Sequence, residues 1–206
     1  ALKKVIDMCQ GKKLLVILDA KRADIGKTSE ASAREAFDFW GADAVTIAPY
    51  MGKDSVQPFT KFCEKGKGVY VLVRTSNIGA EDLQELEVNG KKIYMKTAEK
   101  VVTDWHVDGV GAVVGATVPK ELEKISSFFV QSKKDIPLLI PGVGTQGGTA
   151  QEVMAALQNA GANKTIQRIN SSSGINYAYE KEKIDDFAGA AVKAIQKLNE
   201  EIGFSL

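Results

Sequence analysis

One histidine, two cysteines and five prolines are all that the 206 residues contain of those types. No apolar run approaches the roughly 20 residues of a membrane span. Histidine and cysteine are too scarce to form a cluster at ligand spacing, so a transition-metal site is not expected. Cys9 and Cys63 fall in segments with helical patterning and read as half-buried apolar positions, not as a disulfide framework. That usage fits a reducing, cytoplasmic setting. The first residues lack the apolar core of a signal peptide, which leaves secretion unsupported. Charge of either sign is not in excess: 27 Lys and Arg stand against 26 Asp and Glu, with no basic cluster. A broad nucleic-acid surface is therefore not implied, while small anionic ligands remain open.

What is present is a chain that is 44% hydrophobic, enough for one sizeable core and a single domain over residues 1–206. Six short apolar runs recur, at residues 14–18, 44–47, 69–73, 111–115, 137–140 and 165–169. Helical patterns follow them. One runs from Thr28 to Trp40 and ends at Gly41, another from Ser55 to Lys65 ends at Gly66, and a third from Ile93 to Trp105 stripes Tyr94, Ala98, Val101, Val102 and Trp105. A last stripe joins Ile184, Phe187, Ala191, Ile195, Leu198 and Ile202, as in a long helix packed on a sheet. Strand alternating with helix makes an α/β protein with a parallel sheet. Leu2, Val5, Ile6 and Cys9 form a further helical stripe ahead of the first strand. If that helix closes an earlier unit, the chain is a (β/α)8 TIM barrel with about six of its eight βα units, N-terminally incomplete; periodicity alone leaves a six-stranded doubly wound sheet open.

The densest chemistry lies in VILDAKRADIGKT, residues 16–28. Val16, Ile17 and Leu18 read as a buried parallel strand, and residues two apart on a strand share a face, which places Asp19 with Lys21 at the carboxyl end. Ligands bind at that end in sheets and barrels of this kind. Two carboxylates, Asp19 and Asp24, around one ammonium would keep Lys21 fixed and charged, as suits a proton donor. The alternative is a surface ion pair of under about a kcal/mol.

Other strand ends carry loops. PGVGTQGGT, residues 141–149, has four glycines that leave backbone N–H groups uncovered ahead of a helix N-terminus, an arrangement that suits phosphate or simply turns the chain. INSSSG, ending at Gly174, offers hydroxyls and amides as an anion cradle, or else a polar turn. Arg74-Thr75-Ser76-Asn77 opens a long polar loop through Asn89, a candidate lid. His106 reads as non-catalytic.

Together VILDAKRADIGKT, IAPYMGKDS, VRTSN, VVGAT, IPGVGTQGG and INSSSG resemble, in order, the orotidine 5′-phosphate decarboxylase family. The first matches its D-x-K-x-x-D-I-G-x-T signature at every defined position. The resemblance implies a (β/α) barrel, a homodimer with shared sites, no cofactor, and conversion of orotidine monophosphate to uridine monophosphate in pyrimidine biosynthesis. It implies that Asp19 lies against the substrate carboxylate, that Lys21 protonates the ring carbon, and that Asp24, Ile25 and Thr28 reach the neighbouring subunit's site. Ser76 would contact the pyrimidine; Pro141, Val143 and Gln146 would form a loop closing over base and phosphate; Ser172 and Ser173 would meet the phosphate. The family also uses an aspartate and a lysine on two earlier strands, expected ahead of residue 1. Ser173 stands where the family places an arginine and offers no charged fork. The other readings are a sugar-phosphate decarboxylase of the same superfamily, against which I-G-x-T and the single histidine argue, and an impaired variant that only binds nucleotide or phosphate.

Overall fold

A computed structural model describes residues 1–204, which divide into two compact units. The first unit, Ala1–Val73 with Glu87–Val113, holds helix α1 (Leu2–Gly11), strand β1 (Ile17–Arg22), α2 (Gly26–Arg34), β2 (Ala44–Ile47), α3 (Lys53–Thr60) and β3 (Gly68–Arg74). A hairpin of β4 (Glu87–Val88) and β5 (Lys91–Lys92), then α4 (Ile93–Val102) and β6 (Val110–Val114), complete it. β1 pairs with β2 and β2 with β3, both in parallel, and β6 is the next neighbour of β3. Every residue of β2 and β6 is buried. That is the pattern of strands covered on both faces, and it explains why they read as continuous apolar runs.

Helices close over this sheet with Val56 and Phe59 fully buried on α3, and with Phe37 stacked on Phe62 at 4.9 Å. The pattern predicted from Thr28 to Trp40 is helical, but its second half, Glu35–Phe39, widens into a π-helical turn before Gly41 reverses at φ +76°. The wider turn lets Glu35 accept from both the Arg22 guanidinium, at 2.5 Å, and the Trp40 indole N–H, at 3.0 Å, which ties the end of β1 to α2. Tyr94, Ala98, Val101 and Val102 are buried on α4 as the period requires.

Three expectations change. The first strand does not begin at Leu14: Leu14 and Leu15 are exposed and the strand spans Ile17–Arg22, so the charged residues lie within it. Of the α1 stripe only Ile6 is buried, because Leu2 and Val5 face away from the unit. The long loop after Arg74 is partly structured, with a 3-10 turn at Ile78–Asp82 and the β4–β5 hairpin. Asn89 and Gly90, at φ +54° and +70°, make the two-residue turn whose left-handed backbone this dipeptide tolerates.

The second unit, Arg74–Leu86 with the chain from Val114 on, holds α5 (Pro119–Gln131), β7 (Leu138–Pro141), α6 (Ala150–Asn159), β8 (Arg168–Asn170), the short α7 (Ser173–Asn176) and α8 (Ala178–Glu182), and α9 (Phe187–Glu201). β7 and β8 pair in parallel, and α5 packs against α6. Asp186 caps α9 by accepting from the Gly189 N–H at 2.8 Å. The stripe expected to bury α9 is only partly covered: Ile184, Phe187 and Ile195 are exposed, Phe187 at 68%, Ala191, Leu198 and Ile202 are half-buried, and Ala190 is the one buried residue of the helix. The 3.6-residue period set the helix there, and its packing on α7 and α8 covers only part of the stripe. Among the described residues no helix is long and apolar enough to cross a membrane.

Candidate active site

In the first unit the site is built on an irregular strand end. Ile17 and Leu18 pair with Ala44 and Val45, but the next register partners are Arg22 and Ile47, so β1 spends four residues where β2 spends two. The excess is a bulge, a device that re-aims side chains at a strand end. Lys21 sits in it at φ +47°, a left-handed backbone that costs a non-glycine residue about 1–2 kcal/mol. Thr46, fully buried in β2, holds the bulge by accepting from the Lys21 N–H at 2.9 Å and donating to Asp19 Oδ1 at 2.8 Å. Lys21 Nζ donates to Asp19 Oδ2 at 2.6 Å, which unites the two predicted residues.

Both side chains of that pair are about half exposed, 48% for Asp19 and 50% for Lys21, so as an ion pair it contributes at most about 1 kcal/mol. A bulge and a left-handed lysine are too costly to serve so weak a contact. Asp24 does not join it. Its Oδ1 accepts from the Ile25 N–H at 2.8 Å at the start of α2, so the expectation of two carboxylates around one ammonium is corrected to one, Asp19. Ile25 and Thr28, on the first turn of α2, are exposed.

In the second unit Ser76 is held from several sides. Arg74, 3% exposed, pairs with Glu85 at 2.6 Å, and Gln84 accepts from the Thr75 N–H at 2.9 Å while donating to Thr75 Oγ1 at 2.8 Å. Residues 75–85 thus close on themselves, which makes this loop a tethered one. Thr117 Oγ1 donates to the Ser76 carbonyl at 3.0 Å, and Gly115 leaves Ser76 room that a Cβ would remove, since that atom would stand 2.8 Å from Ser76 Cα.

The glycine-rich loop is also closed. The N–H groups of Gly144, Gly147 and Gly148 donate to the carbonyls of Gly148, Gly144 and Gly142, so three amides expected to be uncovered are used inside the turn. At the start of α6, Thr149 accepts from the Glu152 N–H at 3.1 Å and Glu152 returns to the Thr149 N–H at 3.3 Å. The capping box therefore already uses two of the N–H groups at the helix N-terminus proposed for an anion. Ser171 Oγ donates to the Val143 carbonyl at 2.9 Å, and the hydroxyls of Thr145 and Ser173 lie 2.5 Å apart, which joins the loop carrying Pro141, Val143 and Gln146 to the serine run. Ser172 and Ser173 lead into α7, a single turn.

The family model described as orotidine 5′-phosphate decarboxylase / HUMPS family matches residues 2–184. The chain belongs to this family. It is 46% identical over 188 residues to the protein named orotidine 5′-phosphate decarboxylase from Ralstonia nicotianae, covering 91% of this chain and 65% of that protein. With the protein of the same name from Janthinobacterium sp. it shares 49% identity over 177 residues, 85% of this chain and 61% of that one. The chain thus spans somewhat under two thirds of the length of these curated relatives. The solved structure of Leishmania donovani OMP decarboxylase superposes with a TM-score of 0.76 at 32% identity, over 99% of this chain and 74% of that chain. The fold of this orotidine 5′-phosphate decarboxylase family member is therefore a partial (β/α) barrel carrying six parallel strands, and the doubly wound alternative falls. These two curated relatives carry the decarboxylase name, which favours that reading over the sugar-phosphate one.

Sequence reasoning missed Thr46, Gln84, Glu85 and Thr117. A threonine in the middle of AVTI, otherwise wholly apolar, was the visible signal for Thr46. Gln84, Glu85 and Thr117 lie far enough from Ser76 in sequence that no local spacing announces them.

Proposed function

We propose that this chain belongs to a cytoplasmic enzyme that decarboxylates orotidine 5′-monophosphate to uridine 5′-monophosphate without a cofactor, and that its 206 residues are one barrel domain of it. The observation that carries the reading is the Asp19–Lys21 pair on a bulged strand end, inside the D-x-K-x-x-D-I-G-x-T signature. Asp19 lies against the substrate carboxylate, and the fixed negative charge disfavours the ground state more than the transition state, in which that charge is leaving. The bond from the ring carbon to the carboxylate breaks, carbon dioxide departs, and the electron pair left on the carbon takes a proton from Lys21 Nζ. A pyrimidine carbanion lacks an electron sink, so a preorganised ammonium is the main source of stabilisation.

Ser76 contacts the pyrimidine, and its rigid loop suits that role. Pro141, Val143 and Gln146 cover base and phosphate; Ser172 and Ser173 meet the phosphate through hydroxyls and backbone amides, since Ser173 supplies no charge. Asp24, Ile25 and Thr28 serve the partner's site in a homodimer, which accords with the exposure of Ile25 and Thr28 and the half-burial of Asp24 on one chain. The test follows the loss of orotidine monophosphate absorbance. The complete protein to which this chain belongs is expected to turn over and its Lys21→Ala variant to lose the activity; undiminished turnover by Lys21→Ala would refute the proton-donor role, and inactivity of the complete protein would refute the reading.

A further inference from the structure

The geometry points to Thr46 as a positioning residue that sets the Asp19–Lys21 pair through its single hydroxyl. The inference rests on the decarboxylase reading for its consequence, though not for its geometry. Thr46 is fully buried within a strand whose other residues are Ala44, Val45 and Ile47, a place where a hydroxyl is costly unless both its donor and its acceptor capacity are used. Both are used on the same two residues. The proton goes to Asp19 Oδ1, and the oxygen receives the Lys21 backbone N–H.

The consequence follows from the backbone. Lys21 lies in the left-handed region at φ +47° within the bulge between Leu18 and Arg22, a conformation that persists only where surrounding contacts over-determine it. On the near side the contact is Thr46. On the far side it is the Arg22 carbonyl, which accepts from the Ala48 N–H at 2.9 Å, with the Arg22 guanidinium on Glu35. One hydroxyl therefore fixes the orientation of the Asp19 carboxylate and the backbone from which the Lys21 ammonium extends. The ammonium completes the ring on the carboxylate's other oxygen, 2.6 Å away. Thr46 touches no reacting atom; it decides where the two groups that do are held.

The test replaces the hydroxyl at nearly constant volume. Thr46→Val should lower kcat by about tenfold to a hundredfold, the range for losing a hydrogen bond to a charged group, with KM nearly unchanged. Thr46→Ser, which keeps the hydroxyl, should recover most of the loss, and Thr46→Ala, which removes it by another route, should behave as Thr46→Val. Independently of activity, NMR hydrogen exchange of the Lys21 amide should quicken in the valine and alanine variants and stay slow in the serine variant. A valine variant with wild-type kcat, or a Lys21 amide equally protected in all four proteins, would overturn the inference. A complete protein without turnover would sink the decarboxylase reading instead, and the exchange measurement would still decide whether Thr46 holds the bulge.

Discussion

Gly115→Ala is expected to destabilise the protein by steric means alone. Gly115 follows β6, and a Cβ built on it would stand 2.8 Å from both Cα and Cβ of Ser76 and 2.9 Å from its nitrogen. Carbon atoms in ordinary contact are about 3.5–4.0 Å apart, so roughly 0.7–1.2 Å of separation must be found. Neither side yields easily. The Gly115 N–H donates to the Arg74 carbonyl at 2.8 Å, and Ser76 is held by Thr117 and by the loop that Arg74–Glu85 and Thr75–Gln84 close. Overpacking of this kind costs about 1–3 kcal/mol. With a urea dependence of about 2 kcal/mol per molar, the unfolding midpoint should fall by roughly 0.5–1.5 M. Urea titration followed by circular dichroism checks this, with Gly11→Ala as the control: Gly11 ends α1 and a Cβ there meets nothing within 4 Å, so its midpoint should hold or rise slightly. A Gly115→Ala midpoint equal to that of wild type would show that the Ser76 loop gives way, and the rigidity argued for it would be wrong.

Two further outcomes are expected. Thr149→Ala removes the acceptor of the Glu152 N–H and should cost about 1 kcal/mol, seen as a drop of roughly 2–4 °C in Tm by calorimetry. Burial pushes the Cys63 thiol up to about 11 from an ordinary value of 9.0. Between those values the native state keeps a proton that the unfolded chain releases, so stability should fall as pH rises from about 9 to 11, and that part of the fall should vanish in Cys63→Ala when the two proteins' urea midpoints are compared across the range.

Much of the architecture was already written in periodicity. The run at residues 44–47 is the observed strand, those at 69–73, 111–115 and 137–140 lie within one residue of theirs, and the helix breaks at Gly41 and Gly66 occur where expected, because continuous burial and left-handed turns are local demands that local residue types satisfy. The D-x-K-x-x-D-I-G-x-T residues were legible for the same reason: they are adjacent in sequence.

Tertiary structure alone decided how those residues are used. A strand pattern places Asp19 and Lys21 on one face, but it cannot announce a bulge, which depends on the register against β2 and on Thr46 lying 27 and 25 residues away. The glycines of residues 142–148 signalled freedom, whereas the fold spends three of their amides on closing the turn and lets Glu152 cap the following helix. The stripe of α9 promised a buried face, and packing left half of it exposed and the rest half-buried. Sequence thus determined which residues are candidates for the chemistry and which segments are helix or strand, since both follow from the chain's own chemistry and spacing. Which groups meet, and which amides and hydroxyls remain to meet a ligand, was decided by contacts between segments that no local pattern contains.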